Sequence, residues 1–451
     1  MRSAIAPLGR DDSPALVTDQ QVLTHGELRS RVRDTAESLG GPRQVATIHA
    51  GRDIETVIAY LGAMEAGHAV LLTADDHDRN GSRGSRTRDT AADITATFRP
   101  GLSFVPSTGW ESTGAAPTEL HPDLALLLST SGTTGSPKLV RLSRRNLASN
   151  AEAIVDYLGI TADDRALATL PLHYCYGLSV LNSHLLAGAA VLLTEAGVVD
   201  PCCWDLAATA GATSFAGVPH TFTLLERRGI DCIPGSVGTI TPAGGRMAPD
   251  SVRRWATLGR ERGFDFVVMY GQTEATARMA WLPAELAVER PDAIGVPIPG
   301  GSFRLDDDEL VYSGPNVMMG YAHSPAELSR GHDHAELHTG DLARQADDGL
   351  WEITGRRNRF AKPLGLRVDL AGLEESLAAA GTTAACVRLA DDGSSESVGV
   401  LVETGAGNPT AGRSTALANA THFTGLPPAA FVVASVEALP RNDAGKVDLT
   451  S

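Results

Sequence analysis

Apolar residues fall into short continuous runs that alternate with longer segments in which apolar positions recur at helical spacing. A run over 124–128, bounded by a turn signal, predicts a buried strand. Further strands are predicted over 45–49, 68–73, 189–193, 213–216 and 264–270. Helices are predicted over 24–39 and 250–263, the first with Thr24 as its N-cap and Glu27 three residues on. The alternation from 124 to about 300 is typical of a parallel sheet covered by helices.

Beyond residue 300 the pattern changes. Residues 300–355 predict a small β unit, and the chain after Arg357 predicts an α+β layout with a helix over 369–380 and strands over 385–389 and 397–402. Residues 404–421 read as a loose loop, and 78–90 as a solvated, arginine-containing loop, with a phosphate or partner contact as the alternative. The sequence therefore predicts an α/β fold with two domains, a large multi-layer N-terminal domain over 1–357 and a small α+β C-terminal domain over 358–451.

Composition narrows the class of protein. The chain has 451 residues and a formal net charge of −16, which argues against nucleic acid or an anionic membrane as its main partner. Five scattered cysteines predict neither a disulfide framework nor a zinc site. We see no signal peptide and no apolar run long enough to span a membrane, so a reducing cytoplasm is the expected setting.

A loop after the 124–128 strand is rich in hydrogen-bond donors. It contains Thr130, Ser131, Gly132, Thr133, Thr134, Gly135, Ser136, Pro137 and Lys138. Glycine lets the backbone approach a ligand closely, and the exposed N–H groups of such a turn form an anion nest. The spacing differs from the Walker loop, in which the lysine directly follows the last glycine. The loop predicts a phosphate site, with an ordinary surface turn as the alternative.

Three further clusters carry candidate chemistry. Tyr270-Gly271-Gln272-Thr273-Glu274 ends a predicted strand, where ligands of open α/β sheets bind, and Glu274 offers the hard oxygen that Mg²⁺ prefers. Asp341 and Arg356 could hold a ribose or phosphate, or could equally form a structural ion pair. Lys446 lies on a glycine-containing segment near the end of the sequence, and a lysine in such a segment is by itself usually a solvated charge.

In this order the clusters resemble those of the adenylate-forming enzyme superfamily, which includes acyl- and aryl-CoA synthetases, peptide-synthetase adenylation domains and luciferases. The resemblance covers nearly the whole chain from about residue 13. It also rests on Leu170-Pro171-Leu172-His173, Gly217-Val218-Pro219, Gly244-Gly245, Ile294-Gly295-Val296-Pro297, Gly314 to Tyr321 and the tail Pro440 to Lys446.

The resemblance implies a mobile C-terminal domain joined by a hinge at Asn358, and a reaction in which an acid attacks the α-phosphorus of ATP. It implies Mg²⁺ on Glu274, Thr273 at the α-phosphate and Lys446 as the adenylation lysine. The phosphate loop would hold the β- and γ-phosphates. The remaining nucleotide contacts would come from Gly244, Gly245, Arg246, Tyr270, Gly271, Gln272, Asp341, Ile353 and Arg356.

The acid pocket implied by the resemblance involves His173, Tyr174, Cys175, Tyr176, Ala216, Gly217, Val218 and Phe222. His173 is read as a pocket-wall or positioning residue, with general-base catalysis as the alternative. Cys175 is read as a small lining residue rather than a nucleophile. Peptide-synthetase relatives place an Asp near this position to bind an amino group, and without it a buried ammonium would be costly, so an α-amino acid substrate is not expected. Arg144 stands where many relatives have His.

The function that the resemblance implies is adenylation of a small acyl or aryl acid, followed by transfer to a thiol of CoA or of a carrier protein's phosphopantetheine. Two variants stay open: transfer to an amine, and activation of a non-carboxylate oxyanion such as nitrite. A protein of another class, which binds nucleotide without catalysis, is the remaining alternative. The expected partners are the acid, ATP and an acyl carrier protein, with neither nucleic acid nor membrane.

Overall fold

The computed structural model describes residues 9–74, 87–129, 138–357, 359–361, 363, 368–390, 396–405, 409–441 and 447. The chain divides into two compact units. The first contains residues 1–303 and 312–337, and the second contains 304–311 and 338–451. The predicted hinge Asn358 lies outside the described residues, so the domain boundary at 357/358 stays a prediction.

The helices of the first unit are α1 (His25–Ser38), α2 (Ile54–Glu65), α3 (Thr87–Phe98), α4 (Arg144–Leu158), α5 (Cys175–Ala187), α6 (Pro201–Thr209), α7 (Pro219–Arg228) and α8 (Pro249–Arg262). Helix α1 begins where predicted because Thr24 and Glu27 form a capping box, each satisfying a backbone N–H of the other's turn. Helix α8 ends at Gly263, whose φ of 84° lies in the left-handed region that favours glycine.

The first sheet is parallel except for one edge strand. Its strands are β1 (Pro14–Val17), β2 (Val22–Thr24), β9 (Arg165–Ala168), β10 (Ala190–Leu193), β11 (Ser214–Gly217), β12 (Thr239–Pro242) and β13 (Asp265–Phe266). They are ordered β13-β12-β11-β9-β10-β1-β2, and only β2 runs antiparallel to its neighbour. The carboxyl ends of β11 and β12 therefore meet at one edge. They lead into the predicted acid-pocket segment 216–218 and the predicted adenine segment 244–246.

The second sheet has a parallel centre and antiparallel edges. Its strands are β3 (Val45–Ala50), β4 (Ala69–Ala74), β5 (Leu102–Val105), β6 (Gly109–Ser112), β7 (Leu124–Ser129), β8 (Leu139–Ser143) and β19 (Gly320–Ala322), ordered β19-β8-β7-β4-β3-β5-β6. Strand β7 is apolar from Leu124 to Leu128 because both of its faces are covered: Leu126 and Leu128 pack into one core cluster and Leu127 into another.

A short antiparallel group completes the first unit: β14 (Met269–Tyr270), β15 (Ala280–Trp281) and β16 (Ala293–Pro297). The prediction of one continuous strand over 264–270 is thus wrong, because the segment forms two short strands, β13 and β14. Its first half pairs with β12 in the first sheet, while Tyr270 pairs with Ala280 in this separate hairpin. The chain changes sheets between residues 266 and 269, which a continuous apolar run does not reveal.

The second unit and the hairpin that enters it contain β17 (Ser302–Asp306), β18 (Glu309–Ser313), β20 (Leu337–Gln345), β21 (Trp351–Arg356), β22 (Phe360–Ala361), β23 (Val368–Asp369), α9 (Leu370–Ala379), β24 (Ala384–Ala390), β25 (Glu396–Glu403), α10 (Pro409–Thr424) and β26 (Phe431–Val436). Strands β20 and β21 pair antiparallel, as do β24 and β25, and β26 joins β25 in parallel. These strands confirm the β unit predicted over 300–355 and the α+β layout after it.

Two loop predictions are wrong in part. Helix α10 occupies most of the segment 404–421, although its Ser, Thr, Gly and Asn residues are weak helix formers. Ala416 and Ala420 are fully buried in the core of the second unit, so tertiary packing overrides local propensity. Helix α3 begins at Thr87, inside the segment 78–90, whose residues 78–86 lie outside the described part of the chain. No helix among the described residues is long and apolar enough to cross a membrane.

Candidate active site

The predicted phosphate loop is anchored at both ends by a strand pair. Residues Thr130, Ser131, Gly132, Thr133, Thr134 and Gly135 lie outside the described residues, but the antiparallel pairing of Ser129 with Leu139 fixes where the loop leaves β7 and enters β8. Lys138, at the end of the loop, is described and half-buried. The loop thus connects the two strands at the carboxyl end of β7, which is where the sequence predicts a phosphate site.

Lys138 and Glu274 are linked through one aromatic side chain. The Lys138 ammonium lies 3.5 Å from the centroid of the Tyr321 ring, and the Tyr321 hydroxyl donates to Glu274 Oε1 at 2.9 Å. Burial, with the nearby Glu274 carboxylate, raises the pKa of Tyr321, so its hydroxyl remains a donor at neutral pH. The strand β19 fixes this arrangement, because Tyr321 pairs with Val140 of β8. One Glu274 oxygen is thereby oriented, and the hard oxygen chemistry fits a Mg²⁺ ligand.

A strained turn carries Thr273 and Glu274. The residues Thr273–Ala275 form one turn of 3₁₀ helix, and Thr276 follows with φ of 66°, a left-handed conformation that is rare for a β-branched residue. The Thr276 hydroxyl holds the strain by donating to the Asn316 carbonyl at 2.8 Å. Strain of this kind concentrates at functional sites. On its other side the turn meets the predicted acid pocket, where the Thr273 hydroxyl lies 3.4 Å from Cys175 Sγ.

The segment predicted to enclose adenine is shaped by Gly244. This residue has φ of 81°, and a Cβ on it would lie 2.3 Å from the Tyr174 hydroxyl. Gly245 and Arg246 are exposed, and Tyr270 is half-buried. Gln272 Nε2 is buried and has no hydrogen-bond acceptor among the described residues. A ligand that brings an acceptor to this turn would satisfy it, so these residues fit a bound nucleotide.

Tight backbone packing also holds Gly271, since a Cβ there would lie 1.8 Å from the Ala277 carbonyl oxygen. The Tyr270–Glu274 motif therefore lies directly against the returning strand of its own hairpin. This close approach brings residue 278 beside the motif, because the Gly271 Cβ position is only 2.8 Å from the Arg278 Cα.

The predicted acid pocket surrounds the N-terminus of α5. His173 and Tyr174 are half-buried, and Cys175 and Tyr176 are buried. Tyr176, Ala216 and Val218 belong to one small core cluster. The remaining predicted residues are Gly217, which is buried, and Phe222, whose ring packs against Trp255 and Phe266 at centroid distances of 5.0 and 5.4 Å. That packing makes Phe222 part of the aromatic core, and its contact with substrate stays a prediction.

In the second unit, Asp341 and Arg356 face each other across β20 and β21. Arg356 Nε donates to Asp341 Oδ1 at 2.6 Å, and Asp341 is 3% exposed while the Arg356 side chain is 58% exposed. Ile353 lies on the same strand, half-buried and paired with Ala343. The ion pair that the sequence left open as an alternative is present, and ribose binding by these residues stays a prediction.

Glu309 stabilises the turn before Asp341, and the sequence did not predict this role. Its buried carboxylate accepts from the Gly340 N–H at 2.9 Å and pairs with Arg357 and His338. Burial alone would raise the pKa of Glu309, but the hydrogen bonds from Gly340, Arg357 and His338 lower it below its ordinary value. Glu309 therefore fixes the turn that presents Asp341. Two acidic turn residues, Asp307 and Asp308, directly precede Glu309, and nothing in the sequence distinguishes the buried carboxylate from theirs.

Arg278 is the second residue that the sequence analysis missed. It is 2% exposed, and its guanidinium stacks on the Tyr176 ring 3.7 Å from the centroid. The signal was a single charge in the otherwise apolar run 277–282, four residues after Glu274. Lys446 and Asn358 lie outside the described residues, so their assigned roles stay predictions.

Parallel-rich sheets covered by helices place the protein in the α/β class, with a strained polar turn after a strand end. Solved structures show the same fold. o-Succinylbenzoate-CoA synthetase (MenE) from Bacillus subtilis, in complex with the acyl-adenylate OSB-AMP, superimposes with a TM-score of 0.75 and 22% identity over 96% of this chain and 94% of its own. ATP-bound MatB from Rhodopseudomonas palustris gives 0.76 and 24% over 99% and 97%.

Residues 84–322, slightly over half of the chain, match the family model of the AMP-binding enzymes, and the protein belongs to this family. An isonitrile lipopeptide synthase of Streptomyces coeruleorubidus is 29% identical over 97% of this chain, and a 2-succinylbenzoate–CoA ligase of Bacillus cereus is 30% identical over 56% of it. The chain covers only 32% and 53% of the lengths of these two relatives.

Proposed function

We propose that the protein uses ATP to adenylate a small acyl or aryl acid and then transfers the acyl group to a thiol. In the first step a carboxylate oxygen of the acid bonds to the α-phosphorus of ATP, and the bond from that phosphorus to the bridging oxygen breaks, which releases pyrophosphate. In the second step the thiolate sulfur bonds to the acyl carbon and AMP leaves. An amine acceptor and a non-carboxylate substrate are not favoured by any observation.

The observation that carries this proposal is the link between Lys138 and Glu274 through Tyr321, with Thr273 beside Glu274 in the same turn. Two anions must approach each other in the first step, so alignment and charge screening supply most of the catalysis. Thr273 would donate to the α-phosphate or the carboxylate. Lys138 would face the departing phosphates. Glu274, with one oxygen oriented by Tyr321, would hold Mg²⁺, which supplies positive charge to the phosphates when bound. ATP and Mg²⁺ are present in a complex of the related Bacillus subtilis synthetase.

The acceptor is proposed from the relatives. Ligases that form CoA thioesters and peptide synthetases occur among them. We propose CoA or the phosphopantetheine of a carrier protein as the thiol, and the cytoplasm as the location.

Pyrophosphate release in the presence of ATP, Mg²⁺ and a panel of acids tests the proposal. We expect acid-dependent release from at least one carboxylic acid, and a thioester only when a thiol acceptor is added. Binding of ATP without acid-dependent pyrophosphate release from any acid would overturn it, and would favour the non-catalytic alternative.

A further inference from the structure

Arg278 lies buried in the core, and the described part of the chain places no opposite charge against it. No carboxylate among the described residues forms an ion pair with its guanidinium, and its Nε–H, which is shielded from solvent, has no acceptor there. Its neighbours are the Tyr176 ring, on which the guanidinium stacks, and the Tyr157 side chain, whose hydroxyl forms a hydrogen bond with it. Burial raises the pKa of both tyrosine hydroxyls, so neither supplies a negative charge. A buried charge is costly unless it is paired, so this arrangement leaves a strong demand for an anion.

The position of Arg278 is fixed by the backbone. Its carbonyl accepts from Asn150 Nδ2 at 3.0 Å and from Asn316 Nδ2 at 2.9 Å. Arg278 lies just before strand β15. This strand pairs with β14, and Thr273 and Glu274 lie in the segment that joins the two strands. The guanidinium therefore belongs to the same hairpin as the residues proposed to align the acid and ATP.

A cavity of about 40 Å³ lies at Arg278. Volume on this scale accommodates roughly two or three water molecules, which is about the size of a carboxylate. Besides Arg278 and Asp164, the polar residues of its lining come from α5, β11 and β12, and are Ser183, His184, Ser214, Thr239 and Thr241. Ala216, one of the predicted acid-pocket residues, also lines it. The cavity therefore adjoins the predicted pocket and offers hydroxyl donors together with one guanidinium.

Among the described residues of this lining Asp164 is the one acid, and its carboxylate already accepts hydrogen bonds. Its two oxygens accept from the Thr161 N–H at 2.8 Å and the Thr213 hydroxyl at 2.9 Å. Burial lowers the pKa of His184, which leaves the imidazole neutral. The lining thus contains one unpaired cation and no second cation to repel it.

We propose that Arg278 is a specificity-determining residue that binds a second carboxylate of the acid substrate. Resting on the proposed adenylation, this inference narrows the substrate class to dicarboxylic acids, in which one carboxyl is activated near Thr273 and the other pairs with Arg278. A site built around a buried charge rejects a ligand that lacks the partner, because the charge then stays unpaired.

The test compares each diacid with its own monomethyl ester, which keeps the length of the acid and removes one charge. Pyrophosphate release is measured with aliphatic and aryl diacids. For the best diacid we expect kcat/KM at least about 100-fold above that of its half-ester in the wild type. Arg278→Met, which keeps the side-chain length without charge, should bring this ratio below about 10-fold, and Arg278→Lys should retain part of it. Arg145→Met, an exposed arginine of α4, is the matched control and should leave the ratio unchanged.

The outcomes separate the two proposals. Pyrophosphate release that favours monocarboxylic acids, or a diacid preference that persists in Arg278→Met with an unchanged melting temperature, would overturn the role of Arg278 and leave adenylation standing. Absence of release with every acid, in a wild-type protein that binds ATP, would overturn adenylation, and the role of Arg278 with it.

Discussion

Two buried arginines of the first unit differ in how their charges are balanced. Arg141 has a fully buried side chain and is surrounded by acceptors: it pairs with Asp333 and donates to the carbonyls of Met319, Tyr321, Arg330 and Gly331. Arg278, almost as deeply buried, has the Tyr176 ring and the Tyr157 hydroxyl beside it, and no carboxylate among the described residues pairs with it. The first charge is satisfied by the protein itself, and the second lacks an anionic partner in the described chain. The contrast distinguishes an arginine that holds the fold from one available to a ligand.

The largest effect is expected at Lys446, whose positive charge is proposed to act on the reacting substrates rather than to stabilise the fold. Lys446→Ala should lower acid-dependent pyrophosphate release by about 1000-fold or more, because the ammonium would stabilise charge chiefly in the transition state. The affinity for ATP, measured by calorimetry, and the melting temperature should change little. Release within a fewfold of the wild-type rate would refute the assigned role.

Removing the charge should affect the free energy of unfolding differently at the two arginines. Arg141→Met should lower the free energy of unfolding by about 3–5 kcal/mol, since it leaves Asp333 and several carbonyls without their donor. Arg278→Met should leave stability unchanged or raise it, since replacing a poorly compensated buried charge by an apolar group is often neutral or stabilising. Thermal and urea unfolding of both variants measures the difference, and equal losses would show that Arg278 is as structural as Arg141.

A smaller effect is expected at Tyr321, which lies between Lys138 and Glu274. Tyr321→Phe keeps the ring under the Lys138 ammonium and removes only the hydrogen bond to Glu274. We expect roughly a 10-fold increase in the Mg²⁺ concentration required for half-maximal activity, because such supporting contacts orient a metal ligand. A Mg²⁺ titration of pyrophosphate release by the variant and the wild type checks this. An unchanged requirement would remove Tyr321 from the metal site.

The smallest effect concerns Glu309, whose charge is balanced within the second unit. Its folded pKa lies below its ordinary 4.5, so its contribution to stability is present above that pH and is lost as the pH falls through the folded pKa. At pH 7, Glu309→Gln should cost about 1–3 kcal/mol of unfolding free energy, as expected for hydrogen bonds to a charged group. The difference from wild type should shrink below about pH 4. A difference that stays constant down to pH 3 would contradict this account.

The sequence predicts most of the fold because apolar runs and caps report local structure directly. The buried run of β7 and the capping box of α1 are examples. It fails at 264–270, where one apolar run serves two sheets, and at α10, where Ala416 and Ala420 are buried by partners distant in sequence. Both failures depend on tertiary contacts that no local pattern contains.

The same reasoning explains what was found and missed in the site. Thr273 and Glu274 were predicted because they form a polar group directly after a strand. Arg278 was not, because its importance depends on which side chains surround it. A lone charge among alanines and methionines is unremarkable in a sequence, and it becomes informative only when burial and the lack of a carboxylate partner are known.

The most direct test of the central claim is a crystal structure with the acyl-adenylate of the best diacid bound. The account predicts that the second carboxylate of the acid lies within hydrogen-bond distance of the Arg278 guanidinium, between helix α5 and the strands β11 and β12. A second carboxylate directed elsewhere, with Arg278 still covered only by Tyr176 and Tyr157, would contradict it.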